Sequence, residues 1–251
     1  MYQFYKESYK ALIRRVLAHP GSAIYISDKI RDKYNSEFAL DGETVYLTSN
    51  VERKAYCPVN TAAPLITYFG NIRMGRNRSL CDIADALGAL NPEYRLEVYS
   101  NEVDAQYYQN LKENPYVVYG GSIPYQQVQA KMHASDVTVI VEGFEEKDIE
   151  LSRYSLSTKA ADALASGAAI LTYGSDECGI VEYMRSTNAA MVCSDKTELK
   201  ASIKRLLEDA DLQKQYYRQQ VIMTEEHHNL IKSCAVSEKV IAQAIKNNTK
   251  R

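Results

Sequence analysis

The chain has 251 residues, 45% of them hydrophobic and 25% charged, which is enough apolar material for one large or two small domains with real cores. A formal net charge of -2 provides no bulk basic field to draw nucleic acid, so any anion must be bound locally. The 5 cysteines (Cys57, Cys81, Cys178, Cys193, Cys234) lack zinc or redox spacing and read as reduced thiols. No apolar run approaches the ~18 residues that cross a bilayer, and "MYQFYKESYK" is not a signal peptide, so a soluble, cytoplasmic protein is expected.

In chain order, Tyr5, Tyr9, Leu12, Ile13 and Val16 share one helical face, and "HPG" at 19–21 predicts its end. A short strand, "SAIYIS" at 22–27, is followed by a helix opened at Asp28 and a second strand, "ETVYLTS" at 43–49. The stretch 50–64 carries Pro58 and Pro64 without a clean period and predicts a linker. This divides the chain into residues 1–62, 63–225 and 226–251.

From Leu65 strand and helix alternate. "LITYFG" leads to a helix with Leu80, Ile83, Ala84 and Leu87 on one face, then "YRLEVYS", a polar helix and "YVVYGG" at 116–121. "YQQVQAKMHA" precedes "DVTVIVEGF" at 136–144; an acidic loop "EEKDIE" follows, expected to be a solvated face, and then the helix "STKAADALASG" at 157–167. "AAILTYG", a short helix near "GIVEYM", the strand "AAMVCS" and a helix bearing Leu199, Ile203, Leu206 and Leu207 complete the series, before a tail of two helices broken near "TEEHHN". Such a βα repeat needs crossover connections, so the predicted fold is α/β: a Rossmann-like parallel sheet covered on both faces, with a short N-terminal α/β remnant. Ligands of such sheets sit at the carboxyl ends of the strands, here Gly70–Arg76, Gly120–Tyr125, Glu142–Ser157 and Gly174–Gly179.

Two loops carry candidate phosphate chemistry. Gly70 and Gly75 are spaced like the glycines of a nucleotide hydrolase loop, but Arg76 and Asn77 stand where Lys and Ser or Thr would hold phosphate and magnesium. At "STK", Ser157 and Thr158 open a helix whose free amides and dipole favour an anion, and Lys159 in the first turn is electrostatically misplaced unless one arrives. His227 and His228 are adjacent and have no zinc spacing, so no metal is expected.

"YFGNIRMGRNRSLCDIADAL", "VVYGGSIPYQQVQAKMHASDVTVIVE" and "STKAADALASGAAILTYGSDECGIVEYM", in this order, resemble the donor-binding half of retaining GT-B glycosyltransferases of the family 4 type, the group 1 glycosyl transferases. "YISDKIRDKYNSEF" and "TVYLTSNV" resemble the end of that family's acceptor-binding domain, most of which is missing; residues 226–251 correspond to the helix that crosses back toward it. The resemblance implies transfer of a sugar from a nucleotide-sugar donor, UDP-sugar being favoured, to a glycan or lipid-linked acceptor, without a cofactor or metal. It is compatible with peripheral association at the inner face of the membrane and with a partner domain or oligomer.

Carried over by position, the resemblance places the donor diphosphate at Gly70, Asn71, Arg76, Ser157, Thr158 and Lys159, with Arg76 and Lys159 meeting the charge of the leaving group. Asp162 falls at the ribose-binding carboxylate, and Gly121 and Ile123 fall beside the base. Tyr154 stands where the family has a Glu for the donor sugar, leaving Glu142 and Arg153 as substitutes, and Asn71 stands where it has Arg, leaving Arg73 as a relief cation. The alternative implied by these departures is a nucleotide-sugar-binding or partner-binding module without transferase activity of its own.

Overall fold

The structure is a computed structural model that describes residues 2–16 and 23–248, so the helix end expected at 19–21 lies outside the described residues, as do the side chains before Glu7. Contacts divide the chain into two compact units, Met1–Thr48 with Glu226–Arg251, and Ser49–Glu225.

The first unit contains α1 (Tyr2–Val16), β1 (Ile24–Tyr25), α2 (Asp28–Phe38) and β2 (Glu43–Thr44), with the two strands paired in parallel. Ser27 caps α2 by accepting from the Ile30 amide at 3.3 Å, and Ala39 closes the helix in the left-handed conformation. The strands are far shorter than the 22–27 and 43–49 read from the sequence. Regular pairing needs neighbours, and among the described residues each strand has only the other, so Ile26 and Leu47 stay about two-fifths exposed outside the ladder.

In the second unit, β3 (Ile66–Phe69), α3 (Arg76–Leu90), β4 (Leu96–Tyr99), α4 (Ala105–Glu113), β5 (Val117–Gly121), α5 (Tyr125–Ala134) and β6 (Val137–Val141) alternate as predicted. They continue into α6 (Glu146–Ser152), α7 (Lys159–Ser166), β7 (Ala169–Tyr173), α8 (Gly179–Thr187), β8 (Met191–Cys193), α9 (Lys196–Glu208) and α10 (Ala210–Glu226). All six strands are parallel, in the order β5-β4-β3-β6-β7-β8. The order reverses between β3 and β6, which opens a crevice outside their carboxyl ends. The remaining helix, α11 (Leu230–Asn248), packs in the first unit, where Ser233 donates to the Tyr46 carbonyl at 3.1 Å and Lys239 pairs with Glu43.

Period explains the packing. Leu80, Ile83, Ala84 and Leu87 fall on one face of α3, and all four are fully buried against the sheet. Strand β6, "VTVIV", is buried along its whole length, as a central parallel strand must be. Two segments depart from the sequence reading. The acidic stretch 145–150 is mostly helix rather than loop, because Asp148 and Ile149 are buried on the inner face of α6. Residues 49–62, read as the end of the N-terminal segment, pack in the second unit: Lys54 donates its amide to Ser166, Tyr217 donates to the Lys54 carbonyl, and the Val59 amide donates to Gln213.

Among the described residues, no helix is long and apolar enough to cross a membrane. Since Ile83 is fully buried between α3 and the sheet, Ile83→Ala is expected to lower unfolding stability by about 2–5 kcal/mol, measured by urea denaturation of the whole chain.

Candidate functional site

The crevice at the strand-order reversal is built around one buried ion pair. Strand β3 ends in Gly70, whose φ of 129° suits only glycine, and a turn through Gly75 (φ 73°) starts α3 at Arg76. Arg76 and Arg78 thus occupy a helix start that disfavours cations, and no carboxylate of α3 itself lies in that turn. The compensation comes from the next strand over. Glu142, directly after β6, takes the Arg76 guanidinium bidentately, Nε and Nη2 each donating at 3.0 Å, with both residues buried. Burial pushes the Glu142 carboxyl above its ordinary range, and the Arg76 charge opposes that rise. Arg78 is held in turn by Asp148 and Glu145, at 2.9 Å each.

Lys159 meets this pair from the other side. It begins α7, whose N-cap is Thr158 rather than Ser157; no side chain caps the helix, and Gly167 ends it in the left-handed conformation. The Lys159 chain lies directly over Gly70: a Cβ at that position would stand 2.0 Å from Lys159 Cε and displace the amine, while the φ of Gly70 is what requires glycine there. The Lys159 amine sits 5.4 Å from the centre of the Tyr68 ring and has no hydrogen bond or ion pair among the described residues. Burial, reinforced by the Arg76 charge and opposed by Glu142, lowers its pKa to about 8. The result is a cation at an uncapped helix start, beside a guanidinium already neutralised.

A pocket of about 390 Å³ opens alongside. Gly70, Thr158, Lys159, Asp162, Gly121 and Ile123 all line it, so residues selected for diphosphate, ribose and base converge on one cavity. Its wall is apolar on the side of Phe69, Tyr99, Val128 and Met132, where Phe69 and Tyr99 stack at 5.3 Å. Asp162, in the first turn of α7, receives a hydrogen bond of 2.5 Å from the Ser49 hydroxyl. Burial raises the Asp162 pKa and this bond opposes the rise.

Other selected residues stand apart. Arg76, Asn71 and Ser157 do not line the pocket; Asn71 instead accepts the Arg73 amide at 2.8 Å through its side chain. The donor-sugar set of Glu142, Arg153 and Tyr154 is not gathered there either. Glu142 is committed to Arg76, Arg153 pairs with Glu177 and Glu146, and Tyr154 is an exposed ring. Nor is Arg73 a spare cation: it forms a fork with Glu102, at 2.6 and 2.9 Å, and lies over the Tyr107 ring. Sequence reasoning missed Glu102 and Ser49, and it missed Phe69, Tyr99 and Met132 as pocket wall, because apolar strand and helix positions look alike whether they face core or cavity. Among the described residues, no three His, Cys, Asp or Glu side chains converge as a metal site.

Comparison with known proteins bears directly on this arrangement. The family model described as glycosyl transferase-like matches residues 76–234, well over half of the chain. Among solved structures, TarM from S. aureus, crystallised with fondaparinux, alpha-GlcNAc-glycerol and UDP, superposes with a TM-score of 0.68 at 10% identity, over 92% of this chain and 46% of that one. WaaG, a glycosyltransferase involved in lipopolysaccharide biosynthesis, gives 0.60 at 13%, over 85% and 61%. Sucrose-phosphate synthase from Thermosynechococcus elongatus gives 0.64 at 16%, over 96% and 62%. The chain therefore spans about half to three-fifths of the length of these proteins, and at such identities the likeness shows a shared fold. No curated protein matches it in sequence.

The buried pair makes a double-mutant prediction. Arg76→Met alone leaves the Glu142 charge uncompensated and is expected to cost about 3–5 kcal/mol in chemical denaturation. Adding Glu142→Leu should recover most of that loss, since removing both charges removes the desolvation penalty with them.

Proposed function

The chain belongs to the glycosyl transferase-like family, and from that premise we propose that it binds a nucleotide-sugar donor in the pocket of the second unit, and that the complete protein transfers the sugar to a glycan or lipid-linked acceptor. The observation that carries the reading is Lys159: a buried ammonium with no hydrogen bond or ion pair among the described residues, at an uncapped helix start, lining a cavity that also holds a carboxylate and an apolar wall. A diphosphate satisfies the free amides and the ammonium together. A ribose hydroxyl donates to Asp162, and a base lies against Ile123, Val128 and Met132. UDP is the favoured nucleotide.

In the proposed chemistry, the diphosphate leaves with its growing charge met by Lys159 and the α7 amides, with Arg76 acting from behind the Glu142 pair. The acceptor hydroxyl bonds to the anomeric carbon from the face that the diphosphate vacates as the carbon–oxygen bond to phosphate breaks, and its proton passes to the departing phosphate oxygen; configuration is retained, and the proposal includes no metal or cofactor. Association with the inner face of a membrane and polysaccharide or glycolipid assembly belong to the same proposal.

A second reading is supported by the pairing of Arg76, Arg73 and Arg153 with carboxylates, which leaves fewer cations for a leaving group. In it, the chain is a donor-binding module without transfer activity. Titration with UDP-sugars, followed by donor hydrolysis and transfer assays, separates the two: binding without turnover, even with a supplied acceptor domain, favours the module.

Calorimetric titration with UDP is expected to show binding that persists in EDTA and weakens by about tenfold in Asp162→Ala, which removes one charge-assisted hydrogen bond. Because the Lys159 ammonium is charged below its pKa of about 8, affinity should fall as pH rises through that value, and Lys159→Met should remove the dependence along with most of the binding.

A further inference from the structure

Asp162 is an unusual choice for a site carboxylate, because its short side chain leaves little reach from α7 and its burial favours the neutral acid. One neighbour answers both problems. The Ser49 hydroxyl accepts the Val51 amide at 3.0 Å and donates its single proton to Asp162 Oδ1 at 2.5 Å. With the amide occupying one lone-pair direction and Asp162 Oδ1 lying along another, the proton is directed to the carboxylate, so Ser49 acts as a donor of set orientation. Oδ1 is thereby taken, and Oδ2 is left to a ligand.

The segment that carries Ser49 is held firmly. Val51 is buried in one cluster with Phe69, Tyr99, Met132 and Ala165, and three of these line the pocket. The Lys54 amide donates to Ser166 at the end of α7, and the Lys54 ammonium to the Ser135 carbonyl after α5. Arg53 donates to Thr224 of α10 at 2.6 Å. Residues 49–54 thus tie the helix bearing Asp162 to the pocket's own wall.

We propose that Ser49 is a positioning residue of the nucleotide site, orienting the Asp162 carboxylate so that Oδ2 accepts from the donor's ribose and thereby setting preference for ribose-bearing nucleotides. This rests on the reading of the pocket as a nucleotide site, and the experiment distinguishes the two. UDP and 2′,3′-dideoxy-UDP are titrated calorimetrically into the native chain, Ser49→Ala, Ser49→Thr and Asp162→Ala, each checked for a native melting transition, with UDP affinity also followed toward acid pH.

The native chain is expected to favour UDP by about tenfold, one charge-assisted hydrogen bond. Ser49→Ala should bring the two nucleotides within about twofold by weakening UDP alone, and should move the acid limb of UDP binding to higher pH, since the bond that keeps Asp162 ionised is gone. Ser49→Thr, which keeps the hydroxyl, should restore both. If Asp162→Ala loses the preference while Ser49→Ala keeps the native preference and acid limb, Ser49 has no such role. Equal weakening of both nucleotides in Ser49→Ala would make the residue merely structural and overturn the proposal. If the native chain shows no UDP binding, the nucleotide reading itself fails and takes this inference with it; if it binds UDP with no preference, or Asp162→Ala leaves the preference intact, the ribose contact at Asp162 fails and the proposal is overturned while the nucleotide reading stands.

Discussion

The pairing of Arg76 with Glu142 is the constraint around which the crevice is organised. A guanidinium at the start of α3 opposes the helix dipole, and a carboxylate buried after β6 cannot stay ionised alone; each is tolerable only because the other is there. The pair spans the two strands where the sheet order reverses, so it also fixes how the β3–α3 turn sits over the β6–α6 connection. Arg78, two residues further along α3 and half exposed, pairs with the buried Asp148, and this contact helps to turn the acid-rich stretch inward as α6.

Neutralising the α3 cations has an electrostatic effect on the other half of the crevice. Burial first and the Arg76 charge second lower the proton affinity of Lys159, and Glu142 restores part of it, which leaves the pKa at about 8. The proposed anion site thus rests on one side chain and one helix start, Lys159 at the beginning of α7. Membership of the glycosyl transferase-like family is the premise from which a nucleotide-sugar ligand is proposed for that local chemistry; the likeness to solved structures shows the fold and leaves the details to this chain's own residues.

What could be read from the sequence was what local pattern encodes. The spacing of Leu80, Ile83, Ala84 and Leu87 disclosed α3 and its buried face, the β-branched run of β6 disclosed a central strand, and Gly167 marked the end of α7. Gly70 and Lys159 could be nominated from a strand end and a helix start, Gly121, Ile123 and Asp162 from the family resemblance, and all five share one cavity. Interactions between distant segments left no trace in period or composition. Neither the Glu142 partner of Arg76, nor the Glu102 partner of Arg73, nor Ser49 under Asp162 carries a local signature, because each depends on which strand lies beside which. Strands β1 and β2 were overestimated for the related reason that residue preference cannot supply a missing neighbour.

The way residues 49–62 lie along the second unit has a practical side. A proline-bearing, aperiodic stretch looks like the natural place to cut the second unit free, yet here it carries Val51 and Val59 into buried clusters and gives hydrogen bonds to α7 and α10. A fragment trimmed at residue 63 would lose part of the wall behind its own pocket and expose an apolar seam in its place. The same contacts shield Val51, Lys54 and Val59 from proteases that ordinarily find linkers first, so the exposed residues Cys57, Pro58 and Asn60 to Ala63 are a better place to look for nicking than the segment as a whole.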